Sequence, residues 1–228
     1  MLTRYRWYLI KIPIGCASLI SAIGEHLFSQ NENDGFSIIE ETAEECLCRF
    51  IYRTNVQVTS LNGDGTTVIE SISSVNITNF SIVTRTKPEL TFLRIENPGK
   101  SSRELLNALE SLVGFGFMVK PLNFEKSSPS TIFNSLDSTK LIGLKVVSAV
   151  IDKDLVARME FASKNGIDIS SIKPLQGVNY KLLSATYQVF FEGIKGQLTY
   201  SSGGLIKVSG QLAPKILHLI ETDLPNFI

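Results

Sequence analysis

A chain of 228 residues with 43% hydrophobic and 19% charged side chains has the apolar content to bury a core, which excludes the disordered class. Lysine plus arginine equals aspartate plus glutamate at 22 each, so no global field draws the protein to nucleic acid or anionic lipid, and any such contact has to be a local patch. Three cysteines, an odd number, give no disulfide framework and point to a reducing, cytoplasmic setting.

Arg4 and Arg6 precede an apolar run, Trp7 to Ile23, that imitates a signal peptide or anchor. Lys11 and Pro13 interrupt it, leaving less than the roughly 20 residues a bilayer span requires. Ile14-Gly15-Cys16 is similar to the end of a bacterial lipoprotein cleavage site, but Pro13 occupies the place where a leucine is usual. Neither export nor a membrane span is expected. Arg4 to Ile12 reads instead as a strand with apolar or aromatic groups on both faces, and Leu19, Ile20, Ile23 and Leu27 form a helical stripe within Cys16 to Phe28.

From Glu25 to Phe50 seven acids (Glu25, Glu32, Asp34, Glu40, Glu41, Glu44 and Glu45) stand against Arg49, which is a solvated acidic face or a surface for a basic partner. Cys48, Phe50 and Tyr52 alternate, Val56 and Val58 continue in strand chemistry, and Asn62-Gly63-Asp64-Gly65 predicts a hairpin turn. Val75, Ile77 and Ser81 to Val83 suggest further strands leading through Lys87-Pro88 to the stretch Thr91 to Leu122. There Leu93 and Ile95 mark a strand, and Ser101 with Glu104 supplies a capping box. Leu105, Leu106, Leu109, Leu112 and Val113 then give a buried helical stripe over Ser102 to Val113, with Gly114 at the expected left-handed C-cap, followed by a strand in which Phe115, Phe117 and Val119 alternate with Gly116, Met118 and Lys120.

Glu125 to Thr139 is serine-rich and without sustained period, so it reads as a boundary. Leu141 to Ile151 and Leu155 to Phe161 read as two strands. Leu183, Ala185, Tyr187, Val189 and Phe191 lie on one face of the next strand, Ile194, Gly196, Leu198 and Tyr200 repeat the pattern, and Ser202-Gly203-Gly204 turns the chain into Leu205 to Ser209. A closing helix begins near Pro214 and buries Leu212, Ile216, Leu219 and Ile220.

These elements predict an α+β fold of two antiparallel sheet-plus-helix units, a diverged duplication, with residues 1–125 as the first unit, 126–139 as linker and 140–228 as the second. The segment Tyr187 to Glu221, with LTYSSGGLIKVSG before its helix, resembles the last strands and helix of the repeats in TATA-binding-protein-like domains. That resemblance covers about 35 residues and implies a TBP-like, helix-grip or ferredoxin-like arrangement; function does not follow from it.

Gly99-Lys100-Ser101 sits between a strand and a helix, where a phosphate loop would be. The leading glycine of that motif is replaced by Arg94, and the capping box accounts for Ser101. Arg94, Lys100 and Arg103 remain as an exposed contact patch, part of a local positive excess that includes Arg85 and Lys87. A second polar surface is predicted on the C-terminal sheet, where Lys195, Gln197, Thr199 and Lys207, beside Thr186 and Gln188, can touch phosphates. The position of His26 is similar to that of the general-base histidine in small CRISPR repeat-cleaving RNA endonucleases, but the zero net charge and the lack of a late glycine-rich loop depart from that family. Cys46 and Cys48 lack the second compact pair of a zinc site, and no nucleophile triad or dinucleotide signature is present. No catalytic residue, metal or cofactor is therefore expected. The residues favour a non-catalytic binding or assembly subunit whose partner is a protein or a second copy; nucleic-acid binding through the basic patches, or a His26-dependent RNase, is the alternative.

Overall fold

A computed structural model describes residues 2–86, 89–99, 102–124, 130–153 and 155–228, with the side chains of residues 86, 89, 130 and 131 left undescribed. In chain order the elements are β1 (Leu2–Lys11), α1 (Cys16–Glu25), β2 (Asp34–Glu41), β3 (Glu45–Leu61), β4 (Thr67–Thr86), β5 (Glu89–Glu96), α2 (Arg103–Val113) and β6 (Met118–Pro121). They continue as α3 (Ser130–Asn134), β7 (Ser138–Asp152), β8 (Leu155–Ala162), β9 (Lys181–Phe191), β10 (Ile194–Ser201), β11 (Leu205–Ser209) and α4 (Ala213–Asp223).

The expected α+β class is overturned. Among the described residues eleven strands of mostly antiparallel sheet make up 53% against 21% helix, and the molecule is not a pair of sheet-plus-helix units of TBP-like, helix-grip or ferredoxin-like kind. The reason lies in two features that periodicity does not carry. The strands β3 and β4 run for 17 and 20 residues, so the hairpin outgrows any helix laid across it. The first strand of the chain, moreover, belongs with the last ones: β1 pairs antiparallel with β11, Tyr5 opposite Ile206 and Arg4 opposite Lys207. No support remains for a duplication.

The chain forms two compact units, one of residues 1–9 with 119–228 and the other of residues 10–118. In the first unit the strand order is β1-β11-β10-β9-β7-β8. Alternation decides its two faces. Leu198, Tyr200, Ile206 and Val208 point inward, and α4 buries Ala213, Ile216 and Ile220. Trp7 is fully buried and its Nε1 donates to Glu221 Oε1 at 3.2 Å, which satisfies the indole N–H inside the core. Farther along the sheet Leu144, Val146 and Ala185 are covered by Leu175, Ile167 and Ile172, which come from the irregular segment between β8 and β9. Leu155 to Ala162 is a strand, as its alternation predicts.

The second unit orders its strands β2-β3-β4-β5. Cys46, Cys48 and Phe50 on β3, Phe80 and Ile82 on β4, and Leu93 and Ile95 on β5 share one buried face, joined by Phe36 of β2, whose ring lies 5.0 Å from Phe50. The helices α1 and α2 touch each other and bury Leu19 and Ile23, and Leu105, Leu109 and Val113. The predicted stripe of α1 ends early: Leu27 is exposed and bridges Phe36 outside the helix. At the start of α2 Ser102 stands as N-cap without a side-chain bond, and Ser101 lies outside the described residues; at its end Gly114 takes φ 79°, ψ −153° rather than the left-handed helical region. Of the predicted linker, residues 126–129 lie outside the described residues, and the remainder holds α3 and the start of β7. No helix among the described residues is long and apolar enough to cross a membrane.

Candidate functional site

In the first unit the face turned away from α4 is polar, and the register shows why its charges converge. Residues directly opposite on paired strands share a face. Lys195 lies opposite Phe190 and Phe190 opposite Ser138; Gln197 lies opposite Gln188 and Gln188 opposite Lys140; Lys207 and Thr186 lie on either side of Thr199, whose hydroxyl is 3.1 Å from that of Thr186. Arg4 continues the last row on β1. The four residues Lys195, Gln197, Thr199 and Lys207 predicted from the sequence are thus brought together on one surface.

Two cations that sequence reasoning missed complete it. Lys140 enters from β7, and Lys164 from the turn after β8. Two concavities of about 490 and 450 Å3 meet at Gln188, one lined by Ile142, Lys164 and Gln197, the other by Lys140, Phe190 and Lys195. Gly166, at φ +99°, leaves room for the Lys140 stem: a Cβ there would stand 3.0 Å from its Cε. The acid on this face, Glu160, is held by Lys145 at 2.8 Å, and Asp137 at its margin accepts the Glu192 N–H. The signal that existed for Lys140 was the alternation of β7; placing it beside Gln188 required the strand order.

The second unit carries a different surface. Pairing of β3 with β2 stops at Tyr52 and pairing of β4 with β5 stops at Phe80, while β3 and β4 continue against each other to Leu61 and Thr67. Among the described residues this arm therefore has no strand neighbour on either side from Thr54 to its turn and back to Asn79. Its turn is tied by Asp64, whose Oδ1 accepts the Thr66 hydroxyl at 2.6 Å and the Thr66 N–H at 2.9 Å, and these bonds, the hydroxyl's foremost, hold the Asp64 carboxyl below its usual range. Val56, Val58, Leu61, Ile69, Ile72 and Val75 are all exposed on the arm. Between Arg53 and Arg85 the charged residues are Asp64 and Glu70 alone.

Of the patch expected at Arg94, Lys100 and Arg103, Arg94 is not an exposed contact. Arg94 is 9% exposed and its Nη2 donates to Ser81 Oγ at 3.0 Å and to Glu45 Oε1, so it ties β5 to β4 and β3. Arg103 is exposed at the start of α2, Lys87 and Lys100 lie outside the described residues, and Arg85 is paired with Glu44 at 2.9 Å. His26 follows α1; its Nε2 lies 3.1 Å from Asp34 Oδ1 and its ring tilts against Phe36. Asp34 also lines a hollow of about 350 Å3 with Tyr52, Arg53, Glu104 and Asn107. The guanidinium of Arg53 is already engaged by the carbonyls of Gln30 and Glu32 and by the Phe28 ring.

Cys46 and Cys48 are buried with their sulfurs 3.5 Å apart, and burial pushes both thiols above their ordinary range, Cys48 the further. Among the described residues no three His, Cys, Asp or Glu side chains are grouped to hold a metal ion. No protein-family model matches the chain, and no curated protein matches it.

Proposed function

We propose that this protein is a non-catalytic assembly subunit whose β3–β4 arm pairs with the arm of a second copy. The observation that carries this is the length of hairpin, about eight residue pairs or roughly 27 Å at ~3.4 Å per residue, with two unpaired edges and exposed valine and isoleucine. Unpaired edges invite strand addition, and a soluble protein ordinarily blunts them with lysine, proline or a bulge. The arm has none of these: no lysine or proline lies between Arg53 and Arg85, and the β3–β4 register is unbroken. Its paucity of charge argues against a polyanion as occupant. A second copy offers the same edge with the same strand chemistry, as a two-fold symmetric contact demands. The three cysteines are free thiols, which supports a cytoplasmic setting for that assembly.

The test is the mass in solution across a concentration series. Wild type is expected to form a dimer or larger species, and a variant with residues 55–61 and 67–73 excised, which joins Thr54 and Ser74 through the native turn, is expected to be monomeric with an unchanged melting temperature. A wild-type protein that stays monomeric to its solubility limit, or a shortened arm that leaves the mass unaltered, would overturn the proposal.

A further inference from the structure

We infer that the open face of the first unit's sheet is a binding site for single-stranded nucleic acid, independent of the arm and its self-pairing. Its cations come from four different parts of the chain, Lys140, Lys164, Lys195 and Lys207, and the fold places them on one side of β7, β9, β10 and β11 and the adjoining turn. Neighbouring strands stand ~4.8 Å apart, so β7 to β11 spans about 14 Å. That is a track along which an extended phosphate backbone meets one ammonium group after another. The acids nearby are already engaged: Glu160 faces Lys145, and Asp137 accepts a backbone N–H.

Between the lysines lie groups suited to bases. Phe190 is 41% exposed, stands between Lys195 and Ser138 in its row, and lines the second concavity. An exposed aromatic flanked by lysines is the pairing by which single-strand binders stack a base while holding its phosphate. Gln188 and Gln197 sit opposite each other where the two hollows meet, with amide donors and acceptors for base edges. Duplex recognition usually sends a helix or a two-stranded ribbon into a groove. Here the surface is the face of a sheet with shallow hollows, so single strands are favoured.

The probe is a fluorescently labelled oligo(dT) or oligo(U) of about 12 nucleotides, with binding to the full-length protein read by anisotropy. Four phosphate contacts predict a log–log salt slope of about −2.8, that is, roughly 50-fold weaker binding at about 200 mM than at about 50 mM salt. Each of Lys140→Ala, Lys164→Ala, Lys195→Ala and Lys207→Ala should reduce the slope by about 0.7. Phe190→Ala should weaken binding roughly 5- to 150-fold while leaving the slope unchanged, a split that a merely electrostatic surface would not give. Circular dichroism and melting curves of each variant establish that it is folded; Lys195→Glu, a change at an exposed position, serves as a second probe should an alanine variant fold poorly. The inference is overturned if oligo(dT) and oligo(U) are not bound at low salt, if the lysine variants leave the slope intact, or if duplex of the same length binds as tightly as the single strand.

Discussion

Replacing Gly204 by alanine tests how the first unit closes its last hairpin. Gly204 ends the turn between β10 and β11 at φ +77°, and an added Cβ would stand 2.1 Å from the carbonyl oxygen of Leu122. Real Cβ atoms essentially never come within 3.0 Å of such a neighbour, so that carbonyl must retreat by about 0.9 Å. Leu122 has little freedom to do so. Its N–H donates to the Trp7 carbonyl at 3.3 Å, its side chain is buried, and two residues on the Phe124 N–H donates to Ser202 in the same turn. A left-handed conformation costs a non-glycine residue about 1–2 kcal/mol. Weakening the two flanking hydrogen bonds adds about 1 kcal/mol each. The sum is about 3–4 kcal/mol, or a melting temperature lower by about 10 °C at ~2–4 °C per kcal/mol for a chain of this size. Urea unfolding followed by the fluorescence of Trp7, the single tryptophan, reads the effect beside its origin. Gly203→Ala is the control, because nothing lies within 4 Å of its would-be Cβ. Equal stabilities for the two variants would refute the reasoning.

Three further outcomes follow from buried groups. The Tyr200 hydroxyl is buried and has no hydrogen-bond partner among the described residues, and burial, with Asp223 nearby, holds the phenol well above its usual pKa; Tyr200→Phe should therefore be neutral or stabilising by up to about 1 kcal/mol in thermal unfolding, and a loss beyond that would reveal a partner. Glu45→Gln removes the carboxylate that faces Arg94, leaving a guanidinium 9% exposed with Ser81 as its remaining partner of the two described; since Glu45 is itself one-third exposed, the cost should be about 2 kcal/mol, below the ~3–5 of a fully buried pair. Because burial raises the Cys46 and Cys48 thiols, their thiolate fraction stays low until the pH passes well above the ordinary thiol range, so a disulfide reagent at about pH 8 should label Cys16 first and the other two at the rate of unfolding. Fast labelling of all three in the native protein would contradict that burial.

What was legible in the residues was local. The alternation of Leu183 to Phe191 and Ile194 to Tyr200, the Asn62 to Gly65 turn and the stripe of Ile216 and Ile220 each depend on neighbours a few positions away, and each is present. The fold class was not legible, because Tyr5 meets Ile206 and the pairing of β1 with β11 leaves no periodic trace. The hairpin itself was legible, but the bareness of its outer part was not: Asn55 and Gln57 alternate with Val56 and Val58, and Ser71 and Ser73 flank Ile72, as in a strand with one buried face, and only the strand pairings show where β2 and β5 stop beside it. Arg94 looked like surface charge because Ser81 and Glu45 reach it across two strand pairings, 13 and 49 residues away in sequence. The cationic face was half visible: Lys195, Gln197 and Lys207 follow from alternation, whereas Lys140 and Lys164 join them only once the order β8-β7-β9-β10 is known.

The unbroken register of β3 against β4 has an evolutionary corollary. From Glu45 opposite Val83 to Leu61 opposite Thr67 there is no bulge, so Cys46, Cys48 and Phe50 in the core dictate which way every side chain of the arm points. A residue lost or gained on one strand alone would leave a bulge, and one on each strand would turn the outer arm over and exchange its two surfaces. Length variation among related chains should therefore come in matched steps on β3 and β4, two residues at a time on each, with the Asn62–Thr66 turn carried along intact.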